Sequence, residues 1–202
     1  MSPVGELGDL ATANADGPGP RDRLLAATVA HVARHGLADL RLRALADAIG
    51  TSHRMLLYHF GSKEGLLAAV VASVEASQRA IFTELADDAG SPDTVVRRFW
   101  RGLTDPSVAE HERLFFEVVA QALQGRPGTQ GLRETLVEPW LEAITGATAG
   151  SQEWSPQVAR ARARLGLAVT RGLLLDLLAT RDLDGVDAAM EQFLGAFVPV
   201  ED

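Results

Sequence analysis

The fold is set by residues 42–63, which read LRALADAIGTSHRMLLYHFGSK. The first part carries apolar residues at Leu42, Leu45, Ala46 and Ile49. Their spacing of i, i+3, i+4 and i+7 predicts a helix with one buried face. Gly50 permits the positive φ that ends a helix in a tight turn, and the Ser52 hydroxyl can cap a second helix. The sequence therefore predicts two short helices around a glycine turn.

The second of these helices has two different faces. Leu56 and Phe60, four residues apart, are expected to be buried. The other side carries hydrogen-bond donors, aromatic rings and long apolar chains: His53, Arg54, Met55, Leu57, Tyr58 and His59. Two short helices around a glycine turn form the helix-turn-helix, whose second helix enters the major groove of DNA. We therefore predict a DNA-binding protein.

The composition narrows the class of protein. The 202 residues are 47% hydrophobic, which excludes general disorder, and only 5% aromatic, which favours packed helices with a Leu, Ala and Val core. The absence of Cys excludes disulfides and thiolate metal sites and is typical of a reducing cytosol. We found no uninterrupted apolar run of the roughly 20 residues that span a bilayer, and no signal-peptide pattern. We expect a cytoplasmic, all-α protein with no membrane association.

The net charge of -8 is unevenly distributed along the chain. Residues 20–65 hold seven Arg and Lys against four Asp and Glu, a net charge of +3. Residues 66–202 hold twelve bases against twenty acids, a net charge of -8. Basic charge therefore gathers on the predicted DNA-binding segment, as electrostatic attraction to phosphate requires.

Three segments follow from these patterns. Residues 1–19, rich in Ala, Gly, Asp and Pro, are expected to be a disordered tail. Residues 20–65 form the helix-turn-helix domain, whose first helix begins at Pro20 and stops at Gly36. Its buried side is expected to contain Leu25, Val29, Val32 and Leu37. Residues 66–202 form a second, helical domain. It is entered by a fourth helix that Ser62 caps and that runs to about Leu85.

The remaining helices are predicted from their start signals. We expect helices to begin at Ser91-Pro92, Asp105-Pro106, Leu132 (with a kink or restart at Pro139), Ser155-Pro156 and Asp184. The helix after Pro156 is apolar on nearly all sides between Leu165 and Ala179, so it must be covered on all sides. The last helix covers only one side, which predicts that both helices meet their copies in a homodimer. The predicted dimerisation residues are Leu165, Val169, Leu173, Leu177, Met190, Phe193 and Phe197.

The quoted stretch is similar to the signature of TetR-type transcriptional repressors. The similar residues are Gly50-Thr51-Ser52, then Leu56, then the run from Tyr58 to Leu67 (YHFGSKEGLL), within a match over residues 24–67. The resemblance implies an all-helical homodimer with a small-molecule pocket in each C-terminal domain. It also implies a phosphate contact where the second helix begins. Arg41 and Arg43 stand there in this chain, and an arginine can take that contact.

The DNA-binding roles can be assigned by side-chain chemistry. Lys63 and the free N–H groups of the fourth helix would bind phosphate. Arg54 and His53 are placed to contact base edges, with guanine the natural partner of Arg54, and Arg43 could also reach a base. Met55 and Leu57 could contact a thymine methyl group. The predicted DNA contacts are Arg41, Arg43, Ser52, His53, Arg54, Met55, Leu57, Tyr58, His59 and Lys63.

Candidate ligand residues come from the middle and long helices. Aromatic and apolar residues there can line an effector pocket or simply fill the core. Arg171, inside an apolar run, can bind an anionic effector or form an internal ion pair. The predicted ligand contacts are Val96, Trp100, Phe115, Phe116, Val119, Trp140 and Arg171.

Other titratable groups have plainer explanations. His31 and His35, four apart, have a spacing compatible with metal, but no third ligand accompanies them, so structural histidines are favoured. Glu110-His111-Glu112 is interpreted as a helix surface or pocket rim. We expect no metal and no cofactor.

The helix-turn-helix pattern predicts a DNA-binding regulator, and the resemblance implies that it is ligand-responsive, with residues 66–202 as its effector-binding and dimerisation domain. The simplest form that the resemblance implies is a repressor that binds a palindromic double-stranded operator as a homodimer and is released by a small-molecule effector. Activation stays open, because the motif does not fix where the operator lies. The alternative is a helical enzyme or ligand carrier with an incidental helix-turn-helix. Against that alternative, the sequence has no recognisable nucleophile–base pair, phosphate loop or metal cluster.

Overall fold

The structure is a computed structural model that describes residues 18–35, 41–88, 91–148 and 154–197. Within these ranges, residues up to 77 together with 110–134 form one compact unit. Residues 78–109 together with those from 135 onward form a second compact unit. Residues 1–17 of the predicted tail, Gly36 and Leu37 lie outside the described residues.

Every regular element of the described residues is helical, so the all-α prediction is confirmed. The short segment Pro106–Val108 is a 3₁₀ turn. The helices are α1 (Pro20–His35), α2 (Leu42–Ala48), α3 (His53–Phe60), α4 (Lys63–Asp88), α5 (Pro92–Leu103), α6 (Ala109–Leu123), α7 (Leu132–Thr135), α8 (Glu138–Ala147), α9 (Pro156–Thr180) and α10 (Leu183–Phe197).

The first unit contains the helix-turn-helix. Helix α1 packs on α2, and α2 packs on α3. Val32, Leu45, Ala46 and Leu56 are buried there, each no more than 1% exposed. Full burial of a leucine or valine side chain stabilises a fold by about 1.5–3 kcal/mol, so this small domain is held mainly by a few apolar contacts.

The helix boundaries follow most of the predicted signals. Pro20 and Pro156 open their helices, and α8 restarts with Pro139 in its first turn. The predicted cap at Asp184 is wrong. Helix α10 begins at Leu183, and Asp182 Oδ1 accepts a hydrogen bond from the Gly185 N–H at 3.0 Å. An aspartate two residues earlier satisfies the free N–H group, so Asp184 lies inside the first turn.

Two other boundaries differ in detail from the prediction. Helix α4 continues to Asp88, three residues beyond the expected end. The signal at Asp105-Pro106 begins the 3₁₀ turn, and α6 starts only at Ala109. The Asp105 carboxylate accepts the Ser107 N–H at 2.8 Å, which stabilises this tight turn before the α-helix begins.

Helix α4 is long and apolar enough, by length and composition alone, to cross a membrane. Leu66, Leu67, Val70 and Val71 on this helix are at most 4% exposed within the folded chain. The buried carboxylate of Glu75 lies on the same helix. Apolar residues covered by protein are the pattern of a core helix, which passes the same length and composition test.

The second unit is built around the long helix α9, which packs against α8 and α10. Its aromatic cluster consists of Phe82, Phe99 and Trp140, whose ring centroids lie 5.3–6.1 Å apart. Trp100, at 4% exposure, donates its indole N–H to Asp187 Oδ1 at 2.6 Å and so ties α5 to α10. The structure therefore gives Trp100 a clear structural role.

Candidate nucleic-acid interface

Local sequence signals shape the recognition helix α3. The Ser52 hydroxyl oxygen accepts the Met55 N–H at 3.2 Å, as predicted for an N-cap. Gly50 and Gly61, at the two ends of the segment, have φ of 71° and 76°, which only glycine adopts without strain. Leu56 and Phe60 are 1% and 8% exposed, so their predicted burial is confirmed. These contacts fix which face of α3 points outward.

The outward face of α3 is formed by Arg54, Met55 and Tyr58. Arg54 is exposed, Met55 is 40% exposed, and Tyr58 is 78% exposed. His53 and Leu57 are half-buried at the margins of this face. A tyrosine ring left this open to water on a short helix gains nothing from the core, so the face is available to a partner.

His59 differs from the other predicted contacts. Its Nε2 atom is buried and has no hydrogen-bond partner among the described residues. Its ring lies edge-on to Tyr58, with centroids 5.0 Å apart, and edge-on to Phe60 at 6.5 Å. Nε2 is therefore not free to contact DNA in this conformation, and the ring instead supports the orientation of Tyr58.

The cationic side chains of this unit have two different roles: Arg21 packs on the fold, whereas others are exposed at the surface. Arg21 lies over the Phe60 ring at 5.0 Å, a cation–π contact that braces the helix. The cationic side chains beside the turn and at the two neighbouring helix starts are exposed: Arg41, Arg43, Arg54 and Lys63. Arg41 is the N-cap residue of α2 and makes no side-chain cap hydrogen bond. Exposed cations near helix N-termini are the arrangement that binds phosphate.

The corner between α3 and α4 is unusually tight. The Ser62 hydroxyl oxygen accepts the Gly65 N–H at 2.9 Å and caps α4. A Cβ built on Gly65 would lie 2.2 Å from the carbonyl oxygen of Phe60, so no larger residue fits there. Lys63, the first residue of α4, lies between Ser62 and Gly65 in the chain. The tight corner therefore fixes the backbone position of Lys63.

The same corner is covered by the loop after α6, a contact that the sequence did not reveal. A Cβ on Gly128 would lie 2.8 Å from both the Gly65 amide nitrogen and Ser62 Oγ. Gly128 also has φ of 89°, which favours glycine. Two glycines thus allow two backbone segments to touch. Because 63 positions separate them, no local sequence signal could have paired them.

The predicted ligand residues fall in both compact units. Phe115, Phe116 and Val119 belong to the first unit, where the Phe115 and Phe116 rings meet edge-on at 5.1 Å. Val96, Trp100, Trp140 and Arg171 belong to the second unit. Trp140 is 4% exposed, and Arg171 is half-buried and engaged with a partner.

Three histidines outside α2 and α3, namely His31, His35 and His111, have local explanations. The rings of His31 and His35 stack with centroids 4.4 Å apart, and burial is the main cause that lowers the pKa of His31. Burial likewise lowers the pKa of His111 on α6, against the opposing charge of Glu110. Both imidazoles are therefore held toward the neutral form.

The predicted dimerisation helices keep an uncovered apolar face. Leu165, Leu175 and Phe197 are 39%, 52% and 46% exposed. Small residues accompany them on the exposed sides of α9 and α10: Ala168, Gly172, Ala188, Gly195 and Ala196. Met190 differs from the prediction because it is 1% exposed and covered within the protomer. Val169, Leu173, Leu177 and Phe193 are half-buried.

Comparison with known proteins agrees with this geometry. Residues 24–70, which span the helix-turn-helix and the start of α4, match the family model of bacterial regulatory proteins, tetR family. No curated protein sequence matches the chain.

Solved structures share the whole fold. A TetR-family transcriptional regulator from Pectobacterium atrosepticum aligns with a TM-score of 0.67 and 22% identity, over 90% of this chain and 95% of that one. A TetR transcriptional regulator from Legionella pneumophila has a TM-score of 0.62 and 19% identity, over 88% and 98%. The TetR-family repressor FadR of Thermus thermophilus, solved with lauroyl-CoA, has a TM-score of 0.62 and 19% identity, over 90% and 96%. At these identities the likeness demonstrates a common fold.

Proposed function

We propose that this chain is a TetR-family transcriptional regulator, which its helix-turn-helix and its fold support, and that it is a cytoplasmic repressor released from DNA by a small-molecule effector. In this proposal, it binds a palindromic operator as a homodimer and carries out no enzymatic reaction. The observation that carries the proposal is the outward face of α3, where Arg54 and Tyr58 are exposed on a helix whose other side is fully packed.

The chemistry of that face matches direct readout of DNA. Arg54 carries the planar donor fork that pairs with O6 and N7 of guanine in the major groove. Met55 supplies an apolar contact suited to a thymine methyl group. Lys63 and the N-terminus of α4 would bind the adjacent phosphates, which positions the helix without selecting a sequence. Arg54 and Met55 would therefore select the DNA sequence, whereas Lys63 and the N-terminus of α4 would supply affinity for any duplex.

Dimerisation through α9 and α10 supplies the symmetry that a palindrome needs. The uncovered leucines and small residues on these helices favour a close helix–helix interface with a second copy. A dimer places its two recognition helices in successive major grooves, about 34 Å apart along the duplex. Neither helix-turn-helix alone makes enough contacts for a specific site, so dimerisation would govern affinity.

Release by an effector can act through the corner between α3 and α4. The loop after α6 lies against Gly65 and Ser62, so a displacement of α6 would shift the backbone that presents Lys63. A ligand would weaken DNA binding only by its difference in affinity for the two arrangements. The complex of Thermus thermophilus FadR with lauroyl-CoA offers a precedent for a small molecule on this fold.

Selection from a random double-stranded DNA pool, followed by binding measurements at several salt concentrations, tests the proposal. We expect an enriched inverted repeat bound by one dimer, with affinity that falls linearly with log salt concentration. A chain that enriches no sequence, or that binds all duplexes equally, would not be a site-specific regulator. That outcome would favour the helical enzyme or carrier.

A further inference from the structure

One guanidinium nitrogen in the second unit is buried without a hydrogen-bonding partner among the described residues. The Nη1 atom of Arg79 is buried, and no described residue accepts a hydrogen bond from it. Its guanidinium carbon lies 5.9 Å from the centre of the Trp140 ring. The ring stabilises the charge but cannot take the directed hydrogen bonds that the guanidinium offers.

Four carboxylates of the second unit bind groups other than Arg79. Asp93 and Glu191 both bind Arg97, and Glu138 binds Arg160. Asp187 accepts the indole N–H of Trp100. A buried donor without an acceptor destabilises a fold, the more so when it is charged, so native structures rarely keep one without a reason.

The ring that faces Arg79 belongs to an apolar, aromatic cluster. Phe82, Phe99 and Trp140 form its rings, and Val95 and Leu167 pack in the same buried cluster. In such surroundings, an anion gains more from a guanidinium than it does in water, because the local dielectric constant is low. A guanidinium next to an apolar aromatic cluster therefore favours a ligand with an anionic group at one end and an apolar body.

We propose that Arg79 binds the anionic oxygens of a carboxylate effector, whose apolar body packs on the rings of Phe82, Phe99 and Trp140. This inference rests on the proposed function, since it names the chemical class of the effector. A carboxylate supplies two acceptor oxygens in the geometry of the arginine fork. Because Nη1 is covered, binding must draw the guanidinium away from the Trp140 ring and so changes how α4 packs against α8.

The test is calorimetric titration of the full-length protein with isosteric pairs of probes. The pairs are 2-naphthoate with 2-naphthamide and octanoate with octanamide, which differ in charge while keeping a similar shape. In the wild type, at least one carboxylate is expected to bind roughly 10- to 100-fold more tightly than its amide. In Arg79→Gln this preference should disappear, and Arg79→Lys should retain part of it.

Arg98→Gln is the matched control, because Arg98 is an exposed arginine of the same unit paired with Asp88 at 3.2 Å. It should keep the full preference for carboxylate. Thermal unfolding verifies that each variant is folded. The preference of the wild type for carboxylate over amide tests the inference even if a variant fails to fold. Equal affinity for acid and amide in both pairs, no binding of any probe at millimolar concentration, or an unchanged preference in Arg79→Gln would overturn the inference.

DNA binding by the ligand-free proteins separates this inference from the proposed function. Arg79→Gln should bind selected DNA as the wild type does, because Arg79 lies outside the DNA-binding helices. If DNA is bound specifically but no carboxylate is preferred, the regulator stands and the effector class is wrong. If carboxylates bind but no DNA is bound specifically, the proposed regulator is wrong.

Discussion

The helix-turn-helix and the closing helix pair expose opposite kinds of surface. Helix α3 turns an arginine, a methionine and a tyrosine outward, and exposed cations lie at the start of α2 and α4. Helices α9 and α10 instead expose Leu165, Leu175, Phe197 and several small residues. A charged, donor-rich surface suits phosphate and base edges, whereas an apolar surface with small residues suits another helix. In the proposed function, the helix-turn-helix recognises DNA and the closing helix pair recognises a second copy of the chain.

The sequence also specifies the structure of the two regions in different ways. The helix-turn-helix depends on local devices, namely Ser52 as a cap and Gly50 and Gly61 at positive φ. The closing helices depend on a broad apolar pattern that many sequences could supply. This explains why the family match covers residues 24–70 and why the remainder is related to solved structures by fold alone.

The largest expected effect comes from charging the closing helices. The double change Leu165→Glu and Leu175→Glu should convert the dimer into monomers and reduce operator affinity more than about 100-fold, because carboxylates would be buried against an apolar copy. Analytical ultracentrifugation and DNA titration measure the two effects. Leu123→Glu, at a 69% exposed leucine of α6, is the control and should change neither. A wild type that is monomeric at micromolar concentration contradicts the dimer.

The next effect concerns the corner between α3 and α4. Gly65→Ala should destabilise the fold by about 1–3 kcal/mol and weaken DNA binding, because its Cβ would meet the Phe60 carbonyl oxygen at 2.2 Å. Urea denaturation measures the free energy of unfolding. Gly102→Ala on α5 is the matched control, since a Cβ there meets no atom within 4 Å. That variant should be neutral or slightly more stable, by up to about 1 kcal/mol. Equal stability of the two variants would show that the corner is not close-packed.

A smaller effect separates base recognition from phosphate binding. Arg54→Ala should lose about 1–3 kcal/mol of binding free energy at one base step and relax specificity there. Lys63→Ala should weaken binding to all sequences alike and reduce the salt slope by about one. Titrations against selected and scrambled duplexes compare the two variants. If both variants lose the same affinity on both duplexes, the division of roles is wrong.

The smallest effect lies in the second unit, at the ion pairs of Arg97. Hydrogen bonding by the Ser91 hydroxyl, and then by Arg97, lowers the pKa of Asp93, and Arg97 lowers the pKa of Glu191. Because these folded-state pKa values are depressed, the stabilisation is present at neutral pH and is lost as the pH falls below the unfolded values of about 4. It should amount to less than about 1 kcal/mol, since Arg97 and Glu191 are partly exposed.

Arg97→Met should remove the Glu191 share of this acid-sensitive free energy of unfolding and reduce the Asp93 share, because the Ser91 hydroxyl still binds Asp93. Urea titration at pH 7 and at low pH measures the change. Arg113→Met is a suitable control, because Arg113 pairs with Glu110 in the first unit. An unchanged dependence on pH in Arg97→Met would assign the acid sensitivity to other carboxylates.

Much of the fold was predictable because several helices begin with local sequence signals, namely an N-cap residue or a proline in the first turn. Pro20, Ser52 and Ser155-Pro156 act within three or four residues of where they stand, so sequence alone located these boundaries. The cap of α10 was missed because Asp182 and Asp184 are equivalent as sequence signals, and only the backbone path distinguishes them. The outward face of α3 was predictable from helical spacing, except that the ring of His59 turns its Nε2 inward.

Contacts between distant segments could not be predicted in this way. The approach of Gly128 to Gly65 and the hydrogen bond from Trp100 to Asp187 join residues 63 and 87 positions apart. No periodicity or cap signal relates such pairs, since tertiary packing alone brings them together. The unpartnered Nη1 of Arg79 was equally unpredictable. The sequence shows an arginine, but only the tertiary structure shows that no described residue accepts a hydrogen bond from this atom.

Protection of guanine N7 from dimethyl sulfate on the selected DNA reports whether α3 occupies the major groove, since N7 lies in that groove. We expect two protected clusters about 10 base pairs apart, on opposite sides of a symmetry centre. In Arg54→Ala, one guanine in each cluster should become reactive while the others stay protected. A single cluster, no protection, or the same pattern in Arg54→Ala would contradict DNA recognition by the exposed face of α3.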